Sequence, residues 1–221
     1  MRRSLIDTLL SNFLSSNSPK KLACDTPDGE SRFSLVEHGR RNRELAETYI
    51  AKQKAKVSST RVIAFTPRLF TLRHGGGVVC GSFGLRSAQG RLLVEQFLVQ
   101  PIEYYIGSLL VSKIARQTII EADHLFVSVP ASINALLKTL IDRVRREAIQ
   151  WLVLLGTAEL LEELRRIGLS VSAIDFPAPE NSRIKQRMAM EYAGTWPFIV
   201  LVNVDGSFES NCSFLRRGSP P

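Results

Sequence analysis

The sequence predicts an α/β (α+β) fold in which helices flank a mixed central sheet. Residues 119–156 read as a strand, a loop, a helix and a second strand, which together form one β-α-β crossover between parallel strands. Before them, short apolar runs separated by glycine-rich turns indicate antiparallel strands. The sheet is therefore expected to begin antiparallel and to continue through a parallel connection.

Ahead of the crossover, the pattern predicts a helix between two extended segments and then a hairpin. Leu45, Ala46, Tyr49 and Ile50 recur on one side of a helix over residues 42–54. In order, the expected elements are a strand at 32–36, this helix, a strand at 62–72, a turn at 74–77, strands at 78–85 and 92–97, and a helix that begins at Pro101.

The crossover has clear boundaries. The apolar run Leu125–Val129 is stopped by a proline, and the loop 131–134 then leads into a helix that continues to about Ala148. The second apolar run, residues 151–155, is stopped by a glycine. The elements expected after it are a helix at 159–167, a strand at 169–176 and a strand at 198–204.

Residues 31–205 form the predicted domain, preceded by an extension at 1–30 and followed by a flexible tail at 206–221. Within the extension, residues 1–16 place Leu, Ile and Phe opposite Arg, Asp and Ser at helical spacing, which predicts an amphipathic helix. This helix could contact a membrane peripherally, dock a partner, or pack on its own domain. Residues 17–30 read as a linker, because Pro, Ser, Asp and Gly cluster there.

Composition and charge restrict the partners. The 221 residues carry a net charge of +8, which favours anionic partners such as a CoA-like phosphate ligand, an acidic carrier protein or anionic lipid. Nucleic acid is not expected, because the chain has neither an RNA-binding signature nor zinc-finger spacing. No apolar stretch approaches the ~18–20 residues of a membrane span. Three widely spaced cysteines suggest a reducing compartment and no metal framework, so a cytoplasmic location is expected.

Three blocks of sequence resemble the bacterial thermostable hemolysin family. Ala64–Leu69 is similar to its F-x-P-x-L strand. Leu93–Leu98, followed by Gln100–Glu103, is similar to its LEQYL…PIE block, and Arg116–Glu121 is similar to R-x-x-I-V-E. The resemblance spans roughly residues 32–192. It departs from the family at two places, where Asp123–Phe126 replaces G-N-L-A and Met188–Tyr192 replaces W-G-x-Y-Y.

The resemblance implies a GNAT-like acyltransferase fold, since members of this family look like relatives of the GNAT superfamily. It implies transfer of an acyl group from a CoA or acyl-carrier-protein thioester to a small amine or an amino-acid-type acceptor, without a metal. The chain is also similar to acyl-homoserine-lactone synthases in fold type and in being small and basic. Two alternatives stay open: a membrane-active, hemolysin-like protein and a non-catalytic GNAT-like binding module.

The resemblance places the thioester donor at the crossover. In such a fold the first crossover strand binds the pantetheine arm through its backbone, and the phosphates meet the start of the next helix, where free N–H groups favour anions. The loop here lacks the glycines that usually approach phosphate, which favours a carrier-bound phosphopantetheine over free CoA. The expected donor-binding residues are Phe126, Val127, Val129, Ala131, Ser132, Asn134 and Lys138.

The acceptor amine must lose a proton, and the candidate bases are Glu95, Glu121 and His124. Alternation along a strand puts Glu95 inside the protein, where it is either such a base or half of a structural ion pair with Arg68, Arg86 or Arg116. Alternation also puts His124 on the face opposite Glu121. Tyr192 is either a general acid for the leaving thiol or an interface aromatic. The expected catalytic residues are Glu95, Arg116, Glu121, His124 and Tyr192.

Overall fold

A computed structural model describes residues 33–39, 42–58, 61–62, 64–175, 197–206 and 214–215. The predicted amphipathic helix 1–16, the linker 17–30 and Tyr192 lie outside these ranges. Within them, no helix is long and apolar enough to cross a membrane.

One mixed sheet contains the eight strands that these ranges define: β1 (Ser34–His38), β2 (Arg68–His74), β3 (Val78–Ser87), β4 (Ile119–Val127), β5 (Trp151–Gly156), β6 (Ser170–Ile174), β7 (Phe198–Asn203) and β8 (Phe214–Leu215). Their spatial order is β1-β2-β3-β4-β5-β7-β6-β8. Neighbouring strands are antiparallel except for the parallel pairs β4–β5 and β6–β8. The predicted mixed sheet, antiparallel first and with one β-α-β crossover, is confirmed.

In the part of the chain that the structure describes, four α-helices cover the two faces of the sheet: α1 (Arg43–Val57), α2 (Ile102–Leu110), α3 (Ile133–Arg145) and α4 (Ala158–Arg166). Alternation along β4 separates the faces, because Ile119 packs with α2 whereas Ile120 packs with α3 and α4. Helix α1 lies on the same face as α2, nearer the end of β4, where Ile50 packs with Phe126.

The strand predicted at 92–97 is wrong. These residues form a loop that contains a 3-10 turn at Val94–Phe97. Their backbone N–H groups bond to carboxylates rather than to a neighbouring strand: Leu92 donates to Glu95, and Leu93 and Val94 donate to Glu121. A buried segment needs partners for its amides, and here side chains supply them in place of a ladder.

The boundaries of two strands also differ from the prediction. Strand β2 begins at Arg68 instead of residue 62, because the carbonyls of Thr66 and Pro67 accept N–H groups of Arg43 instead of joining the sheet. Strand β4 begins at Ile119 and ends at Val127, so it starts earlier than the predicted strand and stops two residues sooner. Phe214–Leu215, in the segment assigned to the tail, forms β8.

Candidate active site

Strands β4 and β5 separate soon after they pair. Their parallel register contains three residue pairs, the last of which joins Glu121 to Val153. Past that pair, β4 continues through residues 122–127 and β5 through residues 154–156, and the two described segments share no register. The facing backbone edges of both strands are therefore available to a ligand that adds to a strand edge.

A bulge in β4 lies beside this opening. Between the β3–β4 pairs Ser82–Phe126 and Gly84–Asp123, β3 contributes one residue and β4 contributes two. One of those two is His124, which has a positive φ of 56°. Its backbone N–H donates to Oδ1 of Asp123 at 2.6 Å. An extra residue of this kind bends a strand and shifts its alternation by one.

The bulge overturns the expected orientation of His124. Its imidazole packs against Phe65, with the ring centroids 5.6 Å apart, on the side of the sheet that α1 covers. Nδ1 of His124 lies 3.7 Å from Oδ2 of Asp123. Glu121 accepts hydrogen bonds from the loop at 92–97 on the same side of the sheet, in the area that α2 covers. Glu121, Asp123 and His124 therefore lie on one face of β4, between the area that α1 covers and the area that α2 covers.

Glu121 is a buried carboxyl group with few compensating charges. Its side chain is 2% exposed, and its oxygens accept the N–H groups of Leu93 and Val94, each at 2.8 Å. Nε of Arg86 lies 3.5 Å from Oε2. Burial raises the pKa of Glu121 to about 7, with the backbone hydrogen bonds and Arg86 opposing the rise and Asp123 adding to it. This carboxyl group can therefore exchange a proton near neutral pH.

Glu95 and Arg116, both expected to be catalytic, form a structural ion pair. The carboxylate of Glu95 accepts two N–H groups of Arg116, at 2.7 and 2.8 Å, and the backbone N–H groups of Leu92 and Ile102. Burial opposes ionisation of Glu95, but these bonds outweigh it and lower its pKa. Arg116 also bonds to Glu103, and a surface cleft of about 500 Å³ borders the network. A carboxylate with four hydrogen bonds is a poor proton acceptor, so this pair positions the loop and α2.

The expected donor-binding residues lie at the other end of β4. The side chains of Phe126 and Val127 are buried in the core, which leaves their backbone for a ligand. Val129 and Ala131 are exposed just before α3, whereas the Ser132 side chain is buried at its first turn. The remaining two differ in availability: the Asn134 side-chain oxygen accepts a bond from Arg166, and Lys138 is exposed on α3.

The sequence reasoning missed two residues beside the opening. In the sequence Asp123 belongs only to a departure from a family motif, although it lies between the candidate bases Glu121 and His124. Thr157 follows β5 directly and precedes α4, the position of a helix cap, yet its buried hydroxyl has no hydrogen-bond partner in the described ranges. A Thr between a buried strand and a helix is the signal that could have identified it.

Cys80 is the one free cysteine within the described ranges, and its surroundings do not activate it. Its thiol is buried and donates to the carbonyl of Leu72 at 3.4 Å. Burial raises the pKa of the Cys80 thiol, which keeps it protonated and a weak nucleophile.

The mixed sheet, whose parallel strands diverge beside a bulge in β4 and whose two faces carry helices, has a GNAT-like fold. The acyl-homoserine lactone (AHL) synthase LasI is similar with a TM-score of 0.53 and 13% identity, over 79% of this chain and 91% of that one. The CoA-dependent synthase BjaI, with SAM and isopentyl-CoA, gives 0.54 and 13%, over 78% and 84%. FeeM, an N-acyl amino acid synthase from uncultured soil microbes, gives 0.50 and 14%, over 79% and 92%.

These identities are low, so the structural comparisons establish the fold. No curated protein matches the chain. The family model described as thermostable hemolysin matches residues 36–206, and the chain belongs to that family.

Proposed function

We propose that this protein is an acyltransferase that moves an acyl group from a CoA or acyl-carrier-protein thioester to a small amine. The observation that supports this most is the opening between β4 and β5, which exposes strand edges beside the face that presents Glu121, Asp123 and His124. Proteins of similar fold include an AHL synthase and an N-acyl amino acid synthase, which agrees with this reaction class.

The donor is proposed to lie along the free edge of β4. The amides of its pantetheine arm would pair with the backbone of residues 126–129, as an added strand does. The phosphate end would meet the exposed start of α3 at Ala131, where backbone N–H groups and the helix dipole favour an anion. Lys138, exposed on the same helix, adds positive charge. No glycine occurs at this helix start, so a single phosphate is accommodated more readily than a pyrophosphate.

Acyl transfer requires a deprotonated amine next to the thioester carbonyl. His124 is proposed to take the proton from the acceptor ammonium, with the Asp123 carboxylate orienting the imidazole. The amine nitrogen then bonds to the carbonyl carbon and loses its second proton to solvent, the C–S bond breaks, and the thiolate takes up a proton to leave as a free thiol. Tyr192 stays the predicted donor of that last proton. Glu121, with a pKa of about 7, is the alternative proton acceptor on the same face.

The test supplies the full chain with short-, medium- and long-chain acyl-CoAs, or with the same acyl groups on a carrier protein, and a mixture of amines and amino acids. Release of free thiol and formation of an amide, followed by mass spectrometry, are the expected results. His124→Asn should lower the rate by about 100-fold, the usual contribution of a proton-transfer group. The matched control is His74→Asn, at an exposed histidine. If no thioester is consumed and none raises the melting temperature, the acyltransferase proposal is wrong.

A further inference from the structure

We propose that Arg86 and Asp123 bind the two charged ends of an α-amino-acid acceptor, with the carboxylate on Arg86 and the ammonium on Asp123. This inference rests on the proposed acyl transfer and names the class of acceptor. It also assigns a role to two residues that the sequence did not predict to be part of the site.

The two side chains point to the same side of the sheet. In the β3–β4 register, Arg86 lies opposite Glu121 and Gly84 lies opposite Asp123, and residues opposite each other share a face. Arg86 and Asp123 are therefore diagonal neighbours, roughly 7–8 Å apart at the backbone. A long guanidinium side chain spans that distance, so the opposite charges are near enough to contact both ends of a small zwitterion.

Arg86 is the cation of this face, and its guanidinium makes no hydrogen bond within the described ranges. Its Nε is buried 3.5 Å from Oε2 of Glu121, whose carboxylate already accepts the N–H groups of Leu93 and Val94. The side chain is 23% exposed, so a small ligand would meet the terminal nitrogens of the guanidinium and not the buried Nε. A guanidinium binds a carboxylate through two parallel N–H donors, which makes an acceptor carboxylate a fitting partner.

Asp123 is the accessible carboxylate of this face. Its side chain is 44% exposed, while those of its neighbours Glu121 and His124 are buried. Because Oδ1 accepts the His124 N–H and Oδ2 lies 3.7 Å from Nδ1 of the same residue, an ammonium held here sits beside the proposed proton acceptor. One residue thereby both binds the amine and brings it to the base.

The wall of this site is fixed by a close contact. A Cβ on Gly84 would lie 1.8 Å from Oγ1 of Thr66, so Thr66 occupies the space over Gly84 next to Asp123.

The charge of the product also fits the assignment. Acylation converts the ammonium to a neutral amide, so the product retains the contact with Arg86 and loses the one with Asp123.

The experiment measures which part of the acceptor is recognised. Amide formation from medium-chain acyl-CoA, or from the same acyl group on a carrier protein, is compared for free L-amino acids, their α-amides and the decarboxylated amines. We expect the free amino acids to be preferred by about 10- to 100-fold in kcat/KM, the range for one lost charged hydrogen-bonded contact. Arg86→Gln should remove that preference while amines still react, and Arg86→Lys should restore part of it.

Asp123→Asn should raise KM for all three kinds of acceptor, the free amino acids, their α-amides and the decarboxylated amines, because the ammonium group of each loses its partner. The matched controls are Arg165→Gln and Glu162→Gln, an exposed pair on α4, and both should behave as the unsubstituted chain. Saturation-transfer NMR with the free amino acids reports acceptor binding without turnover and should lose its signal in both site variants.

Two outcomes would overturn the assignment. One is an unsubstituted chain that accepts amines and amino acids equally; the other is an Arg86→Gln variant that keeps the preference. In either case acyl transfer itself still occurs, which separates this failure from that of the proposed function. Absence of acyl transfer, by contrast, would count against the proposed reaction. In that case, an NMR signal for amino-acid binding that is unchanged in the Arg86→Gln variant would count against the proposed acceptor site.

Discussion

Glu121 holds its proton more tightly in the folded protein than in the unfolded chain, because burial raises its pKa from 4.5 to about 7. A raised pKa in an acid gives stability that is complete below the unfolded pKa and is lost as the pH rises through the folded one. We therefore expect the free energy of unfolding to fall between pH 4.5 and pH 7, with about 3 kcal/mol lost through this group.

Urea denaturation at a series of pH values measures this loss. Glu121→Gln should remove the pH-dependent part and leave a smaller, constant cost, since the amide can accept one of the two N–H groups. Glu162→Gln, at an exposed glutamate, should leave the pH profile as it is. Parallel profiles for the Glu121 variant and the unsubstituted chain would contradict the raised pKa.

Glu95, whose pKa is lowered, stabilises the folded protein in its ionised form, in contrast to Glu121. Glu95→Gln would leave the Arg116 donors facing an amide N–H group and remove the charge that holds them. Removing one partner of a buried ion pair costs several kcal/mol, and partial exposure of Arg116 reduces this, so we expect about 2–3 kcal/mol. The denaturation midpoint, compared with that of Glu162→Gln, measures the difference. A loss below about 0.5 kcal/mol, the usual effect of a surface change, would show that the pair does not stabilise the loop.

At the level of elements, β3 approaches the segment before β2 so closely that glycine is required. Gly84→Ala would place a methyl group 1.8 Å from Oγ1 of Thr66 and 3.0 Å from its Cβ. We expect it to cost about 1–3 kcal/mol, as overpacked cores do. Thr66→Ala in the same chain should recover part of that cost, and Gly90→Ala, which meets nothing within 4 Å, should be nearly neutral. Strictly additive losses would mean that the two residues do not collide.

The start of α3 allows a test of donor binding that leaves the core intact. Ala131→Glu adds a negative charge at an exposed residue where a phosphate is proposed to bind, whereas a change at the buried Ser132 would disturb packing. Stabilisation of the chain by acyl-CoA, measured as a shift in melting temperature, should be lost. Gln150→Glu adds the same charge at another exposed site and should preserve the shift. A donor that still stabilises the Ala131 variant binds elsewhere.

The crossover was predictable because its elements are marked by local features of the chain. Apolar runs, a proline and a glycine set β4, α3 and β5 within a few residues. The loop 92–97 was not predictable in this way, because Glu121, distant in sequence, accepts the N–H groups of Leu93 and Val94. The face of His124 was not predictable either, because the bulge that turns its side chain to the face of Glu121 arises from the register of β4 with β3.

For the whole molecule, the fold could be read from the order of elements, but the site could not be completed from it. The family blocks pointed to Glu95, Arg116 and Glu121, and the structure joins the first two in an ion pair and leaves the third with a pKa near neutrality. Arg86 and Asp123 become a candidate pair only when β3 and β4 are aligned. A site built from diagonal neighbours on two strands has no signature in either strand alone.

The predicted amphipathic segment 1–16 could contact an anionic membrane peripherally, dock a partner or pack on its own domain. Liposome flotation tests the first of these alternatives. The chain should float with anionic liposomes, and a chain without these residues should stay in the soluble fraction, while neutral liposomes serve as the control. Equal flotation of both chains would show that this segment is not the membrane contact.

The bulge in β4 means that the number of residues in this strand determines the geometry of the candidate active site. Removing one residue at His124 or Leu125 would leave a single residue opposite Phe83 and restore plain alternation, with Phe126 still facing α1. The imidazole would then be lost or turned to the opposite face, so Glu121 and Asp123 would lose it as a neighbour. Substitutions can therefore accumulate on this strand more easily than insertions or deletions, and homologues that differ in length here are expected to differ in what they bind.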